Sequence, residues 1–418
     1  MIVSRSDLAA RLAAVECPAF EARRDRRGAI AGGAMPHLVF AHAEGSEVVD
    51  VDGERYLDLV AGFGALAFGH RHPPLEHAVD AARSRLTMAL GDVYGSPEKV
   101  ELCERLVRLI DEPGARVLLG SSGADAVTAA LKSALLATGK PGVIAFEGSY
   151  HGLTHGPLAA CGLSAAFRQP FDAHLLKPVY FAPYPVEGLD GAIAASLAAV
   201  DRALATGAVG AILVEPILGR GGAIVPPAEF LPALRARADA SGALLIVDEI
   251  WTGMGRTGAL LASPVLPDLL CLGKALGGGY PISACVGRAH VMQAWAAHGG
   301  SFVHTATHFG APFATAAATW VLGALGAELL EQNEARGRAL RAKPGREHWT
   351  GRGMMIGVPL ASQAHALAAM RTLAERGVLV LTGGSAGNVL TLSPAYTIEA
   401  EPLERALAIV DEVTRAGA

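Results

Sequence analysis

Lys274 has the setting that speaks most directly of chemistry. It follows the apolar run Pro267-Asp268-Leu269-Leu270-Cys271-Leu272-Gly273 and precedes Ala275-Leu276-Gly277-Gly278-Gly279. Lysine is scarce in this chain, six of its 35 Lys and Arg residues. An ammonium at the end of a buried run is costly unless its charge is neutralised or its nitrogen is covalently committed. A lysine joined to a carbonyl compound as a Schiff base meets both conditions. Alone, it reads equally as a strand-end lysine snorkelling to water.

Two further constellations sit at comparable places. Asp248 and Glu249 end the run 243–247, and a carboxylate at the carboxyl end of a buried strand lies where α/β proteins bind ligands. Their plainer role is to cap the next segment. Gly120-Ser121-Ser122-Gly123-Ala124-Asp125 joins a short strand to a helix, so free N–H groups and a serine hydroxyl make an anion site. A serine N-cap without a ligand is the plainer alternative. Gly253-Met254-Gly255-Arg256-Thr257-Gly258 matches the dinucleotide pattern G-x-G-x-x-G. However, Pro264 and Pro267 follow, and the next apolar strand begins too soon for a crossover helix. A nicotinamide dehydrogenase is therefore a distant reading.

The elements that must position these residues alternate. Apolar runs at 116–119, 143–146, 179–182, 210–214, 243–247, 269–272 and 283–287 are separated by helical patterns near 123–138, 192–205 and 229–240. Runs apolar on both faces point to a mostly parallel sheet covered on each side by helices. The fold class is α/β, with seven such strands. A long helical stretch is expected from 312 to about 340. Short strands at 354–359, 378–381 and 389–392 and helices near 363–375 and 402–414 then form a smaller α+β unit.

Composition narrows the function classes. With 418 residues, 51% hydrophobic and 18% charged, and a net charge of −5, the chain has no basic stripe for nucleic acid or an anionic membrane. The five cysteines, Cys17, Cys103, Cys161, Cys271 and Cys285, lie far apart with no C-x-x-C pair, so neither a disulfide framework nor a metal site is readable. Arg5, Asp7, Arg11 and Glu16 near the amino terminus are unlike a signal peptide, and no apolar run reaches membrane-spanning length. A cytoplasmic location is expected.

Taken together, these motifs resemble the class III aminotransferases, fold type I enzymes that use pyridoxal 5′-phosphate (PLP). Val51-Asp52-Gly53-Glu54-Arg55-Tyr56-Leu57-Asp58-Leu59 and Gly69-His70-Arg71-His72-Pro73 resemble two family turns. Tyr150-His151-Gly152, Glu215-Pro216 with Gly221-Gly222, Asp248-Glu249 through Gly258, and Gly273 through Gly279 follow in family order. The resemblance spans about residues 40 to 410. It implies that Lys274 holds PLP as a Schiff base and shuttles a proton, and that Asp248 pairs with the pyridine nitrogen. It further implies that Ser122, Gly123 and Ala124 cradle the phosphate, that the Tyr150 ring stacks on the cofactor, and that His151 and Glu215 lie beside it. Thr307 would reach the phosphate of a neighbouring subunit, making a homodimer with shared sites.

The departures concern the substrate side. Arginine after the aromatic-H-G motif is Leu153 here, the arginine of the carboxy-terminal strand is Thr391, an acidic switch residue is Arg220, and a glutamine near the cofactor oxygen is Trp251. With Phe63, these are the candidate substrate residues. The implied reaction is ping-pong transamination between an amine donor and a keto or aldehyde acceptor, with an aminomutase or racemase as the alternative on this fold. The implied division is an N-terminal segment, 1–50, packing on the small domain, a large PLP-binding domain, 51–315, and a small domain, 316–418.

Overall fold

The computed structural model describes residues 4–297, 299–301 and 304–415. Two helices open it, α1 (Arg5–Val15) and α2 (Pro18–Ala31), followed by strands β1 (Phe40–Glu44), β2 (Glu47–Asp50) and β3 (Arg55–Asp58). α2 starts on Pro18 and stops at Gly32, whose φ of 70° ends the helix in the left-handed conformation that glycine tolerates.

The central sheet has the seven strands expected. They are β4 (Arg116–Gly120), β5 (Gly142–Phe146), β6 (Val179–Ala182), β7 (Val209–Val214), β8 (Leu244–Asp248), β9 (Leu269–Leu272) and β10 (Ser283–Gly287), in the order β4-β10-β9-β8-β7-β5-β6. β10 runs antiparallel to both neighbours; the other observed pairings are parallel. β7 and β8 are buried at every residue, which explains their apolar sequence on both faces. Parallel strands bring their carboxyl ends to one edge. The residues that follow β5, β7, β8 and β9 are therefore neighbours, and Tyr150, His151, Glu215, Asp248 and Lys274 lie there.

The carboxy-terminal part forms a second sheet, β11 (Thr350–Arg352), β12 (Met355–Pro359), β14 (Leu381–Gly383) and β15 (Val389–Leu392), in the order β11-β12-β15-β14. β13 (Val378–Leu379) instead joins β1, β2 and β3, pairing in parallel with β3. The helical stretch after Pro312 is two helices, Pro312–Ala324 and Ala327–Arg341, bent by 76°. Leu325 leaves helical geometry and Gly326 starts the next helix. The first is apolar and packs with Leu75, Leu102 and Ile282, whereas the second is mostly polar and buries one narrow face through Asn333, Gly337 and Leu340. No single described helix is long and apolar enough to cross a membrane.

Two long-range contacts frame the substrate side. α2 packs through Ile30 and Ala31 on Leu367 and Met370 of the helix Gln363–Glu375. Arg256, fully buried, donates to the carbonyls of Gly64, Met354 and Pro394 and lies 4.7 Å from the Tyr396 ring centroid. A guanidinium with five donors can serve three backbone acceptors at once.

Candidate active site

The strand ends bring Lys274, Asp248, Glu215, Tyr150 and His151 together. Asp248 is buried at the end of β8; its Oδ1 accepts from the N–H of Ile250 (3.0 Å), and its Oδ2 lies 2.7 Å from His151 Nδ1. Glu215, just after β7, accepts from the backbone N–H groups of Tyr150 (2.7 Å) and Gly219 (2.9 Å). Burial pushes its carboxyl above the usual range; nearby His151 opposes this and Asp248 adds to it.

Lys274 follows β9 in a short 3₁₀ turn, with a φ of 44°. Such backbone is sparsely populated for residues other than glycine and concentrates at functional sites. Its Nζ lies 4.9 Å from the centroid of the Trp251 ring. Burial lowers the ammonium below an ordinary lysine; Asp248 and Glu215 pull the other way, and Arg220 lowers it further.

At the start of the helix Gly123–Thr138, Ser122 and Asp125 form a capping box. Asp125 Oδ2 accepts from the N–H groups of Ser121 (3.1 Å) and Ser122 (2.9 Å), so these two are not free for an anion. The N–H groups of Gly123 and Ala124 have no acceptor among the described residues. Gly123 is required on packing grounds, since a Cβ there would meet Ile250 Cδ1 at 2.9 Å.

The residues fit PLP. Within one strand edge lie a mostly buried lysine with a lowered pKa, a buried carboxylate, and a helix start with two unpaired N–H groups. His151 Nε2 and Trp251 Nε1 are also buried without partners among the described residues, as expected of atoms that face a bound polar group.

Beside this edge is a cavity of about 440 Å³ lined in part by Phe63, Arg220, Trp251 and Thr391, four of the five substrate candidates. Phe63 is exposed, with a φ of 60°. Thr391 is buried in β15 and donates to Leu381 O at 3.4 Å. The Arg220 guanidinium lies 4.8 Å from the Tyr150 ring centroid. Leu153 is exposed and does not line this cavity. Thr307 lies on an exposed turn of the described chain. Arg23, Arg24 and Arg27 of α2 line the cavity and were not singled out by sequence reasoning. The available signal was the run Arg23-Arg24-Asp25-Arg26-Arg27, which sets Arg23 and Arg27 one helical turn apart.

Comparison with known proteins gives the family. The family model for Aminotransferase class-III matches residues 29–414. A 2-aminoadipate transaminase of Pseudomonas putida is 35% identical over 402 residues, covering 90% of this chain and 95% of its own. An acetylornithine aminotransferase of Mycobacterium tuberculosis is 36% identical, covering 88% and 90%. Among solved structures, an amine transaminase from an uncultivated Pseudomonas species in its PLP-bound form superposes with a TM-score of 0.84 at 28% identity, covering 92% and 96%. The ornithine aminotransferase of Toxoplasma gondii does so with 0.83 at 29% identity, covering 99% and 95%. By family match, sequence identity and architecture alike, the chain belongs to the class III aminotransferases, PLP-dependent enzymes of fold type I that pass an amino group from an amine donor to a carbonyl acceptor.

Proposed function

We propose that Lys274 anchors PLP and moves the proton, Asp248 partners the ring nitrogen, and the substrate's charge is read by Arg220 instead of the family's usual arginines. PLP, when bound, draws electrons from the amine-bearing carbon, so that a proton can leave it. Lys274 Nζ is the base at hand. Burial favours its neutral form, which can accept that proton and return it to a neighbouring atom. Asp248, held by His151 and by the Ile250 N–H, presents a carboxyl group fixed in place for the ring nitrogen. The free N–H groups of Gly123 and Ala124 suit a phosphate, and the Tyr150 ring gives a flat apolar face.

The observation that carries this reading is the electrostatic grouping of Lys274 with Asp248, Glu215 and Arg220 at one strand edge. Thr391 offers a hydroxyl where the family's arginine would stand, so a donor's carboxylate must find its cation elsewhere. Arg220 lies over Tyr150 with no carboxylate partner among the described residues.

The active unit is a homodimer. Residues 86–94 leave Leu90, Val93 and Tyr94 largely exposed, and Asp92 Oδ1 accepts from Thr305 Oγ1 at 2.8 Å, tying this apolar strip to the segment that carries Thr307. A second copy covering the strip would bring Thr307 to its neighbour's phosphate site. The cysteines are all free, which suits the reducing cytoplasm.

Borohydride reduction of the yellow protein, followed by peptide mapping, tests the central assignment. Fixation of the cofactor on Lys274, with Lys274→Ala inactive, is expected; fixation on another lysine, or activity without PLP, overturns it.

A further inference from the structure

Glu215 follows β7 and is buried, yet it has no ion-pair partner among the described residues. A buried carboxylate without such a partner is costly unless its oxygens are otherwise engaged. Here both are engaged: Oε1 accepts from the Tyr150 N–H at 2.7 Å and Oε2 from the Gly219 N–H at 2.9 Å. One donor belongs to the segment after β5, the other to the turn after β7. Behind the carboxyl, the Tyr184 hydroxyl lies 2.9 Å from Glu215 O and 3.0 Å from Pro216 O, and the Tyr184 ring meets Phe146 and Phe230 edge-on. The backbone that carries the carboxyl is thus itself held. In front of it, a Cβ on Gly219 would fall 2.4 Å from Trp251 Cε3 and 3.2 Å from Glu215 Oε2. The carboxyl therefore ties the segment that carries the Tyr150 ring to the turn on which Trp251 is seated, and Trp251 lies against Lys274.

We propose that Glu215 is a positioning residue of the amino-transfer site, whose carboxylate fixes Tyr150 and the seat of Trp251 relative to each other and whose charge acts on Lys274. This rests on the transaminase reading above and adds a residue to it. A glutamine would offer one acceptor oxygen and turn its NH₂ toward the second N–H, whereas a carboxylate accepts from both. Titratable groups face Glu215 from each segment around it: His151 after β5, Cys161 after the helix His155–Ala159, Tyr184 after β6, Asp248 at the end of β8 and Lys274 after β9. Burial pushes the Glu215 carboxyl up to about 7; His151 and the two N–H groups oppose the rise, and Asp248 adds to it. Below that value a proton competes for an oxygen that already accepts a hydrogen bond, and the brace slackens. Above it the brace is complete and a negative charge faces Lys274. That charge favours the ammonium, against the burial that favours the neutral amine. One side chain thus sets the seat of two aromatic rings and the pH at which the lysine nitrogen is free to act as a nucleophile.

The test separates the brace from the charge. Glu215→Gln removes the charge and one acceptor. Glu215→Asp keeps the charge but is one methylene too short to reach both N–H groups, and Tyr184→Phe loosens the same backbone while leaving the carboxyl alone. The cofactor is removed from each loaded protein, and PLP uptake is followed by absorbance as a function of pH. Uptake requires the neutral amine, so its midpoint should fall by about one unit in Glu215→Gln, as expected on losing a nearby opposite charge. It should stay close to that of the wild type in Glu215→Asp and in Tyr184→Phe. Both Glu215 variants should bind PLP about tenfold or more weakly, from loss of a hydrogen bond to a charged group. In the cofactor-free proteins, hydrogen exchange at the Tyr150 or Gly219 amide should quicken in Glu215→Asp. An unmoved uptake midpoint in Glu215→Gln, or an equal shift in Tyr184→Phe, overturns the proposal. Unchanged PLP affinity together with unchanged amide exchange in Glu215→Asp overturns it as well, and decides the matter should Glu215→Gln not fold. Wild-type protein that takes up no PLP overturns the transaminase reading instead, and the amide exchange still reports on Glu215.

Discussion

Trp251 is seated against Lys274 because two glycines give it room. A Cβ on Gly64 would fall 2.5 Å from the indole Nε1, and one on Gly219 would fall 2.4 Å from Cε3. The indole is thereby fixed with Nζ 4.9 Å from its centroid. An aromatic face favours a cation over a neutral amine, so Trp251 works against the burial that lowers the Lys274 pKa.

Replacing Trp251 by leucine keeps an apolar wall and removes that face. The Lys274 pKa should then fall by about half a unit to one and a half units, from a cation–π contribution of about 0.5–2 kcal/mol. The pH dependence of PLP uptake by cofactor-free protein, which requires the neutral amine, measures it. An unchanged or higher midpoint would show that the indole only fills space.

Asp248→Asn keeps the shape of the side chain and removes its charge. A hydrogen bond to a charged group contributes about 1.5–3 kcal/mol, so kcat should fall about ten- to 150-fold. The protein should remain yellow, because the anchor proposed for the cofactor, Lys274, is untouched. Loss of colour without a fall in kcat per bound PLP would refute the role given to Asp248.

Glu249 is fully buried, its two oxygens accepting from Thr252 Oγ1 and the Ser263 N–H, and burial pushes it from 4.5 up to about 7. The folded state therefore holds a proton that the unfolded chain releases at lower pH. Its contribution is fully present below the unfolded value and is lost as pH rises through 4.5 to about 7. Glu249→Gln keeps both contacts and cannot ionise. Urea titrations between pH 5 and 8 should show the wild type losing on the order of 2 to 3 kcal/mol relative to the variant. Parallel curves would mean that Glu249 is ionised in the folded protein throughout this range.

Mixing Lys274→Ala subunits with Thr307→Ala subunits tests the shared site. If each site takes its lysine from one chain and its threonine from the other, heterodimers contain one intact site and recover part of the activity. An active monomer in sedimentation, or no recovery from confirmed heterodimers, would rule out sharing.

The sheet was legible in the sequence because its inner strands, such as β7 and β8, are apolar on both faces and most of its strands end in or just before glycine or a carboxylate. Lys274 and Asp248 could be found for the same reason: a charge closing an apolar run has few structural uses. The substrate wall was not legible in this way. Arg27 meets Met370 and Thr382 across more than 340 residues of chain, and nothing local in α2 signals where it docks. The break at Leu325 was hidden because good helix-forming sequence continues on both sides of Gly326. The run 378–381 reads as one strand, whereas its first two residues form β13 and pair with β3 and Leu381 opens β14 in the second sheet, a choice made by tertiary packing.

Arg256 grips Gly64, Met354 and Pro394 together, so three stretches of chain drawn from far apart in the sequence move as one piece. Breaking that grip would strand a charge in the core, at a cost no ligand-driven motion readily meets. The floor against which Trp251 is seated, at Gly64, is thereby tied to the turn before β12 and to the segment after β15 through one side chain.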